Sequence, residues 1–426
     1  MSNYTAQVDG VHMHLENKKV GSFFFWYIWI MYALVYMTKY CFSSALAPIV
    51  ESGMLTKSQT GLIAASFHIV YAPLQIIGGM FADRYNPERM IKIGLGGSAV
   101  ANLIIFINQN YYVMLFAWIF NAVVQFPLWP SVFKIMASQL PRSERKKNAF
   151  YMSFCSTFGL LISYLVAGMI PVWRYNFLVS TLVSLGLMIS MHFVCKKVDR
   201  YMLPDKNSMS DFIREKDNGG MTMKALAASS GLIIITIIAF LRVAVNQAAN
   251  TMAPTMLMES YKNISASMGN ILNLLIIPAG LLGTLLVKFV IYPRFIKNEV
   301  VGLIWCFCIT IPFIIVLKMI GSVPVWSVIA AMCAITLFTS AAWLFMSYYN
   351  MYFASYGKDG AVAGILNCAG SAALIVQNYG FNVVADKFGW EAISVLWIWL
   401  ISAAAILSII VLPIFTKFKK SVPDVK

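Results

Sequence analysis

Lys39 stands near the middle of the apolar run Phe23–Val50, and Arg242 near the middle of a second run between Ala228 and Met258. The first run has 28 residues, more than the ~20 that cover a bilayer's hydrocarbon core. A cation at that depth costs roughly 2.5–3.5 kcal/mol, so each is expected to face a protein interior or a watery cavity. Neutral polar groups share their helical faces: Tyr32, Tyr36 and Ser43 with Lys39, Asn246 and Asn250 with Arg242. None of the predicted helix interiors contains Asp or Glu; Glu51, Asp83, Glu259, Glu299, Asp359, Asp386 and Glu391 all fall at helix ends or in loops. Two cations at ~10 Å and an effective dielectric of about 20 repel by roughly 1.7 kcal/mol, a cost that a bound anion would relieve. The chemistry expected is therefore anion binding by Lys39 and Arg242, with Tyr36, Gln125, Asn246 and Asn250 as neutral substrate contacts. His68 is the one candidate for carrying a proton.

Composition narrows the class. The chain of 426 residues is 60% hydrophobic and 12% charged, with a mean hydropathy of +0.74, which excludes an ordinary soluble domain. The net charge of +15 follows membrane topology. With the N-terminus inside, 25 of the 32 Lys and Arg fall on the inner side, 5 on the outer side and 2 within the membrane. The positive-inside rule then predicts a multi-pass protein of the cell inner membrane with both termini cytoplasmic, and no nucleic-acid partner. The seven cysteines lie in or at the ends of apolar runs without metal spacing, and His12-Met13-His14 is too little for a metal site. No Ser/His/Asp set and no G-x-x-x-x-G-K-[ST] occurs, so no enzyme, cofactor or metal is expected. The polar first 22 residues and the length of the run after them argue against a signal peptide, so the first helix is expected to be retained.

These residues need elements to hold them, and the elements come in two copies. Pro48 and Pro254 are 206 residues apart, as are Pro87 and Pro293, while Trp129 and Trp343 are 214 apart and Trp173 and Trp390 are 217 apart. The pattern predicts an all-α polytopic membrane protein of twelve transmembrane helices in two pseudo-symmetric six-helix bundles. The expected division is a cytoplasmic tail (1–22), an N-terminal bundle (23–195), a cytoplasmic linker (196–222), a C-terminal bundle (223–415) and a C-terminal tail (416–426). Helix 4 is expected to be interrupted by Pro127 and Pro130, and the linker to carry nothing beyond short amphipathic pieces.

Six plus six helices with a long central linker resemble the major facilitator superfamily. The loop Gly79-Met80-Phe81-Ala82-Asp83-Arg84 is similar to that superfamily's G-x-x-x-D-R signature, which implies that Asp83 and Arg84 gate the inner face. Within it the chain resembles the organophosphate:inorganic phosphate antiporters. Asp83-Arg84-Tyr85-Asn86-Pro87 matches their D-R-x-N-P loop, Gln125 to Pro130 is similar to their Q-x-x-x-W-P, and Lys134 matches a basic position. Lys39 and Arg242 occupy places comparable to the family's two phosphate-clamping basic residues. The resemblance implies a secondary transporter exchanging an organic anion for another such as inorganic phosphate, acting as a monomer. Two alternatives stay open: a proton-coupled symporter of a carboxylate or sugar acid, and a transporter-like sugar-phosphate receptor. Tyr348 and Tyr349 are further gate candidates.

Overall fold

The structure, a computed structural model, describes residues 12–140, 144–152, 154–170, 172–205, 222–296, 298–353, 356 and 358–422. Side chains at 12–14, 76–84, 137–138, 145–146, 149–150, 204–205, 293 and 359 lie outside that description. Its described residues form two compact units, one drawn from Met1–Ala45 and Ile69–Lys216, the other from Leu46–His68 and Asp217–Lys426.

The first unit contains most of α1 (Lys18–Glu51) and of α2 (Lys57–Arg84), then α3 (Pro87–Ile107), α4 (Tyr111–Gln125), α5 (Leu128–Gln139), α6 (Arg145–Met152), α7 (Cys155–Met169) and α8 (Arg174–Val198). Local chemistry sets several ends. Asn86 accepts from the Arg89 backbone N–H and Pro87 follows at the first helical turn, starting α3. Pro127 supplies no N–H for a continuous ladder, so α4 stops at Gln125 and α5 restarts at Leu128. The interruption expected in helix 4 is there. The core of this unit gathers Phe24, Phe25, Ile28, Ile91, Leu95, Met136 and Cys195.

One element goes beyond the sequence expectations. β1 (His12–Leu15) pairs antiparallel with β2 (Met202–Asp205), His12 opposite Asp205 and Leu15 opposite Met202. The tail and the start of the linker thus satisfy each other's backbone groups, and Leu15 enters the core fully buried.

The second unit contains α9 (Met223–Ser230), α10 (Leu232–Thr251), α11 (Ala253–Ser260), α12 (Ala266–Leu286), α13 (Glu299–Leu317), α14 (Val325–Met351), α15 (Asp359–Ile375) and α16 (Asn382–Ser421). What reads as one helix around Arg242 is three: Gly231, at φ +73, separates α9 from α10, and Met252 followed by Pro254 separates α10 from α11. Short π-helical segments, Val287–Ile291 and Val376–Phe381, extend α12 and α15. Gly389, at φ +76, turns the chain inside α16 so that a new helix starts at Trp390.

Among the described residues nine stretches are long and apolar enough to cross a membrane, and the last, Gly360–Ser421, holds the two helices that flank Gly389. With α2, of 28 residues, and the shorter apolar α7, the described residues make up twelve transmembrane helices.

The hairpin Leu46–His68, where α1 ends and α2 begins, belongs to the second unit, whereas both helices were expected whole within 23–195. The reason is close contact: at Gly61 a methyl group would collide with the backbone carbonyl of Asn378, so only glycine lets α2 lie against the π segment.

Four helix ends of the second unit meet at Glu299. Its carboxylate, fully buried, accepts from Lys419 Nζ at 2.9 Å, Tyr292 OH at 2.7 Å and Tyr352 OH at 2.8 Å. Burial, reinforced by the Glu299 hydrogen bonds, pushes both phenols up, so they stay protonated and donate. Removing one partner of such a knot leaves the others dry, which typically costs about 3 kcal/mol. Glu299→Gln is therefore expected to lower the melting temperature of the detergent-purified protein clearly, and Glu299→Leu paired with Lys419→Met to recover part of the loss. A melting curve for Glu299→Gln that overlays the wild type would show that the knot does not hold these ends.

Candidate functional site

Arg242, near the middle of α10, is 6% exposed. Its Nη1 donates to the backbone carbonyl of Thr339 on α14 at 2.9 Å, and its Cζ lies 4.9 Å from the centre of the Trp343 ring. Nε is buried without a hydrogen-bond partner, and among the described residues no carboxylate pairs with this guanidinium. One turn on, Asn246 Nδ2 donates to Thr339 Oγ1 at 2.9 Å and Ser340 Oγ at 3.1 Å. Asn250 Nδ2 donates to the Asn246 carbonyl at 2.7 Å, and Asn273 Nδ2 on α12 to the Asn250 carbonyl at 2.7 Å. Gln377 Nε2 completes the row at Thr251 Oγ1, 2.9 Å away. The second unit thus surrounds one permanent cation with neutral hydroxyl and amide groups, and the predicted partners Arg242, Asn246 and Asn250 share one stripe of α10. Several buried acceptors along it, Asn273 Oδ1 and Gln377 Oε1 among them, have no donor.

Lys39 has a different environment. In the first unit its Nζ lies 3.9 Å from the centre of the Tyr71 ring on α2 and 5.7 Å from that of Tyr36. Tyr36 stands edge-on to Tyr32 at 5.1 Å and stacks with Tyr40 at 6.0 Å, while Tyr32 meets Trp129 at 5.2 Å. A desolvated ammonium over an aromatic face gains about 2 kcal/mol from the ring quadrupole. Lys39 is held by rings where Arg242 is held by a carbonyl and a ring.

The remaining predicted residues are placed as follows. Gln125 is buried between α3 and α4, donating to Ser98 Oγ at 2.9 Å and Asn121 Oδ1 at 3.0 Å. His68 is half-buried with its ring edge-on to Phe67 at 5.5 Å. The backbone of Asp83 and Arg84 ends α2, but their side chains lie outside the described residues. Tyr349 donates to Ser230 Oγ at 3.2 Å, and Tyr348 meets Tyr292 with ring centres 4.5 Å apart.

A further polar cluster lies within the second unit, at the helix ends away from the termini. Lys57, at the start of α2, binds Glu259 Oε2 at 2.7 Å and Asp386 Oδ1 at 3.7 Å. Ser58 donates to Asp386 through both its backbone N–H and its hydroxyl. Trp390 Nε1 donates to Glu259 Oε2 at 2.8 Å, and Glu51 Oε1 accepts from the Ala266 N–H at 3.0 Å, capping α12.

Sequence reasoning missed Tyr71, Trp343 and this cluster. A signal existed for two of them. Trp343 is the repeat partner of Trp129, and Glu51 and Glu259 follow Pro48 and Pro254 in the same repeat. Tyr71 follows His68 by three residues and carries no pattern of its own.

The chain is similar to known proteins in sequence and in fold. Over 163 residues the chain is 29% identical to the membrane sensor protein UhpC of Salmonella typhimurium, a match covering 38% of this chain and 37% of that protein. Over 190 residues it is 25% identical to the glycerol-3-phosphate transporter of Bacillus subtilis, covering 43% of each. The chain thus matches less than half the length of either relative. Among solved structures, a bacterial homolog of the human lysosomal transporter Spinster, inward-facing and unoccupied, superposes with a TM-score of 0.73 at 14% identity, covering 96% of this chain and 100% of that one. A D-xylose-proton symporter gives 0.67 at 14% identity, covering 94% and 98%. Both show the fold. The family model described as Major Facilitator Superfamily matches residues 28–377, and that match makes the chain a member of this superfamily.

Proposed function

We propose that the protein is a secondary active transporter that moves a small organic anion, a phosphate ester or a solute of like charge, by alternating access and in exchange for another anion such as inorganic phosphate. The observation that carries this reading is Arg242: a guanidinium 6% exposed in mid-helix, with a buried unpartnered Nε and no carboxylate beside it among the described residues. An anion that fills the open donors would remove the largest electrostatic cost in the second unit. Lys39 is the second cationic ligand, and Tyr36, Gln125, Asn246 and Asn250 are the neutral contacts. Asp83 and Arg84 gate the inner face.

The relatives support an organophosphate. Beside the glycerol-3-phosphate transporter, a probable hexose phosphate transport protein of Chlamydia trachomatis is 23% identical over 121 residues, covering 28% of this chain and 26% of that protein. Obligatory exchange follows from the same charge. A carrier that reorients empty must move Arg242 uncompensated, while a loaded carrier moves a neutralised site. In this reading the protein is a monomer of the cell inner membrane with both termini cytoplasmic, and the Lys57–Glu259–Asp386 cluster closes the outer face. The likeness to UhpC favours a second reading, a receptor that binds a sugar phosphate and reports it without carrying it. Proton symport through His68 is a third.

Melting of the purified protein against glycerol 3-phosphate, hexose phosphates, inorganic phosphate, sugar acids, dicarboxylates and neutral sugars tests the ligand class. A ligand at 100 times its Kd stabilises the folded state by about 2.7 kcal/mol. Stabilisation by a phosphate ester and by inorganic phosphate, lost in Arg242→Gln, is expected; stabilisation by neutral sugars alone would overturn the anion reading. Counterflow in proteoliposomes separates transport from sensing, and net uptake as fast as exchange with no ion gradient would refute antiport.

The outer cluster gives a separate test. With Lys57 replaced by Ala, the outer face should open more often, by about fivefold for a loss of ~1 kcal/mol. A cysteine at Ser43 in a cysteine-free background, labelled from outside with an impermeant maleimide, should then react faster by that factor. Unchanged labelling would mean that the cluster does not close this face.

A further inference from the structure

The donors of Arg242 are not spent evenly. Nη1 is given to the Thr339 carbonyl, and Trp343 covers one face of the guanidinium at 4.9 Å. Nε is dry and unpartnered, and among the described residues Nη2 has no hydrogen-bond partner either. In a guanidinium, Nε–H and the Nη2 hydrogen beside it point in parallel along one edge, at the spacing of two oxygens of a carboxylate or phosphate. That edge is the unused one. Thr339 and Trp343 lie four residues apart on α14, one above the other on the same face, so a single helix supplies both constraints. Asn246 is held by the same Thr339 through its hydroxyl, which fixes α10 against α14 at this level. Trp343 is also the repeat partner of Trp129, whose ring meets Tyr32. The two copies of the position thus differ: Trp129 meets an aromatic ring and Trp343 a cation.

We propose that Trp343 is the positioning residue of the anion site. Its ring holds the Arg242 guanidinium by one face while the Thr339 carbonyl takes Nη1, so that the Nε–Nη2 edge is presented side-on to two oxygens of one phosphate or carboxylate group. The inference rests on the reading of Arg242 as an anion ligand. It adds that the site selects oxyanions able to offer two adjacent oxygens, and that a single-centred anion such as chloride gains nothing from it. Trp343 acts through Arg242 and touches no reacting atom, so its effect must vanish when the guanidinium is absent.

The test is a double-mutant cycle on the full-length purified protein, titrated with inorganic phosphate, glycerol 3-phosphate and chloride. Trp343→Leu is expected to weaken binding of both phosphates by about fivefold, the worth of one partly desolvated cation–π contact, and Trp343→Phe by less than about twofold. In an Arg242→Gln background, Trp343→Leu should change nothing further. Should Trp343→Leu fail to fold, site-specific incorporation of mono-, di- and trifluorinated tryptophan at 343 keeps the shape of the ring and drains its face of charge. The logarithm of Kd should then rise stepwise with each fluorine. A flat fluorination series, or wild-type affinity in Trp343→Leu, would overturn the positioning role while leaving Arg242 as the ligand. Failure of Arg242→Gln to weaken either phosphate would instead overturn the anion reading itself. Equal effects of Trp343→Leu with and without Arg242 would reduce Trp343 to packing.

Discussion

A guanidinium cannot shed its charge in a membrane, and much of the second unit is arranged around that fact. Arg keeps its proton under all physiological conditions, so the neighbours of Arg242 must supply what water would. They do so with a carbonyl and an aromatic face, while Asn246, bound to Thr339 one turn on, ties α10 to the same helix. Among the described residues no formal negative charge pairs with it. A carboxylate at this place would pin the guanidinium in a closed pair and leave nothing for a ligand. Neutral dipoles hold the side chain in position and leave its charge available.

The backbone of the same region carries a related constraint. Every interruption of a helix inside a membrane exposes N–H and C=O groups that must find partners. α10 is bounded by two such interruptions, Gly231 and Met252, and the chain pairs them off with little waste. The Gly231 carbonyl accepts from Ile235 N, and the Met252 N–H donates to the Ala248 carbonyl. Further polar groups freed near the second break are taken by side chains from neighbours: Asn273 takes the Asn250 carbonyl and Gln377 the Thr251 hydroxyl. The breaks and the polar stripe are thus one construction. The segment bearing Arg242 has a boundary at each end.

Much of this was legible in the chain, and what was not has a physical reason. Helix number, the Pro127 interruption and the two membrane cations follow from hydropathy, Pro chemistry and charge, all of which act over a few residues. The 206-residue repeat made the second half readable from the first. The β1–β2 ribbon and the Lys57–Glu259–Asp386 cluster join residues about 190 to 330 positions apart, and nothing local to Lys57 distinguishes an ion pair from a topological loop charge. Tyr71 escaped because an aromatic residue in an apolar helix has the same pattern whether it faces lipid or a lysine. Trp343 was visible as a marker of the repeat but not as a neighbour of Arg242, since facing direction depends on how α14 packs against α10.

The two copies hold their cations differently. In the first unit the cation lies over Tyr71, on the flexible stem of a lysine whose ammonium is a compact point charge. In the second unit the cation is planar, fixed by Thr339 and Trp343 and presents one edge. For the anion carrier proposed above, the contrast has a use. Two rigid forks would bind tightly and release slowly, while two mobile ammonium groups would bind loosely and discriminate little. One rigid group gives recognition its geometry, and one adaptable group lets the charge be met as the helices move. In this reading the difference between Lys39 and Arg242, which breaks the symmetry of the repeat, separates an adaptable charge from a fixed one.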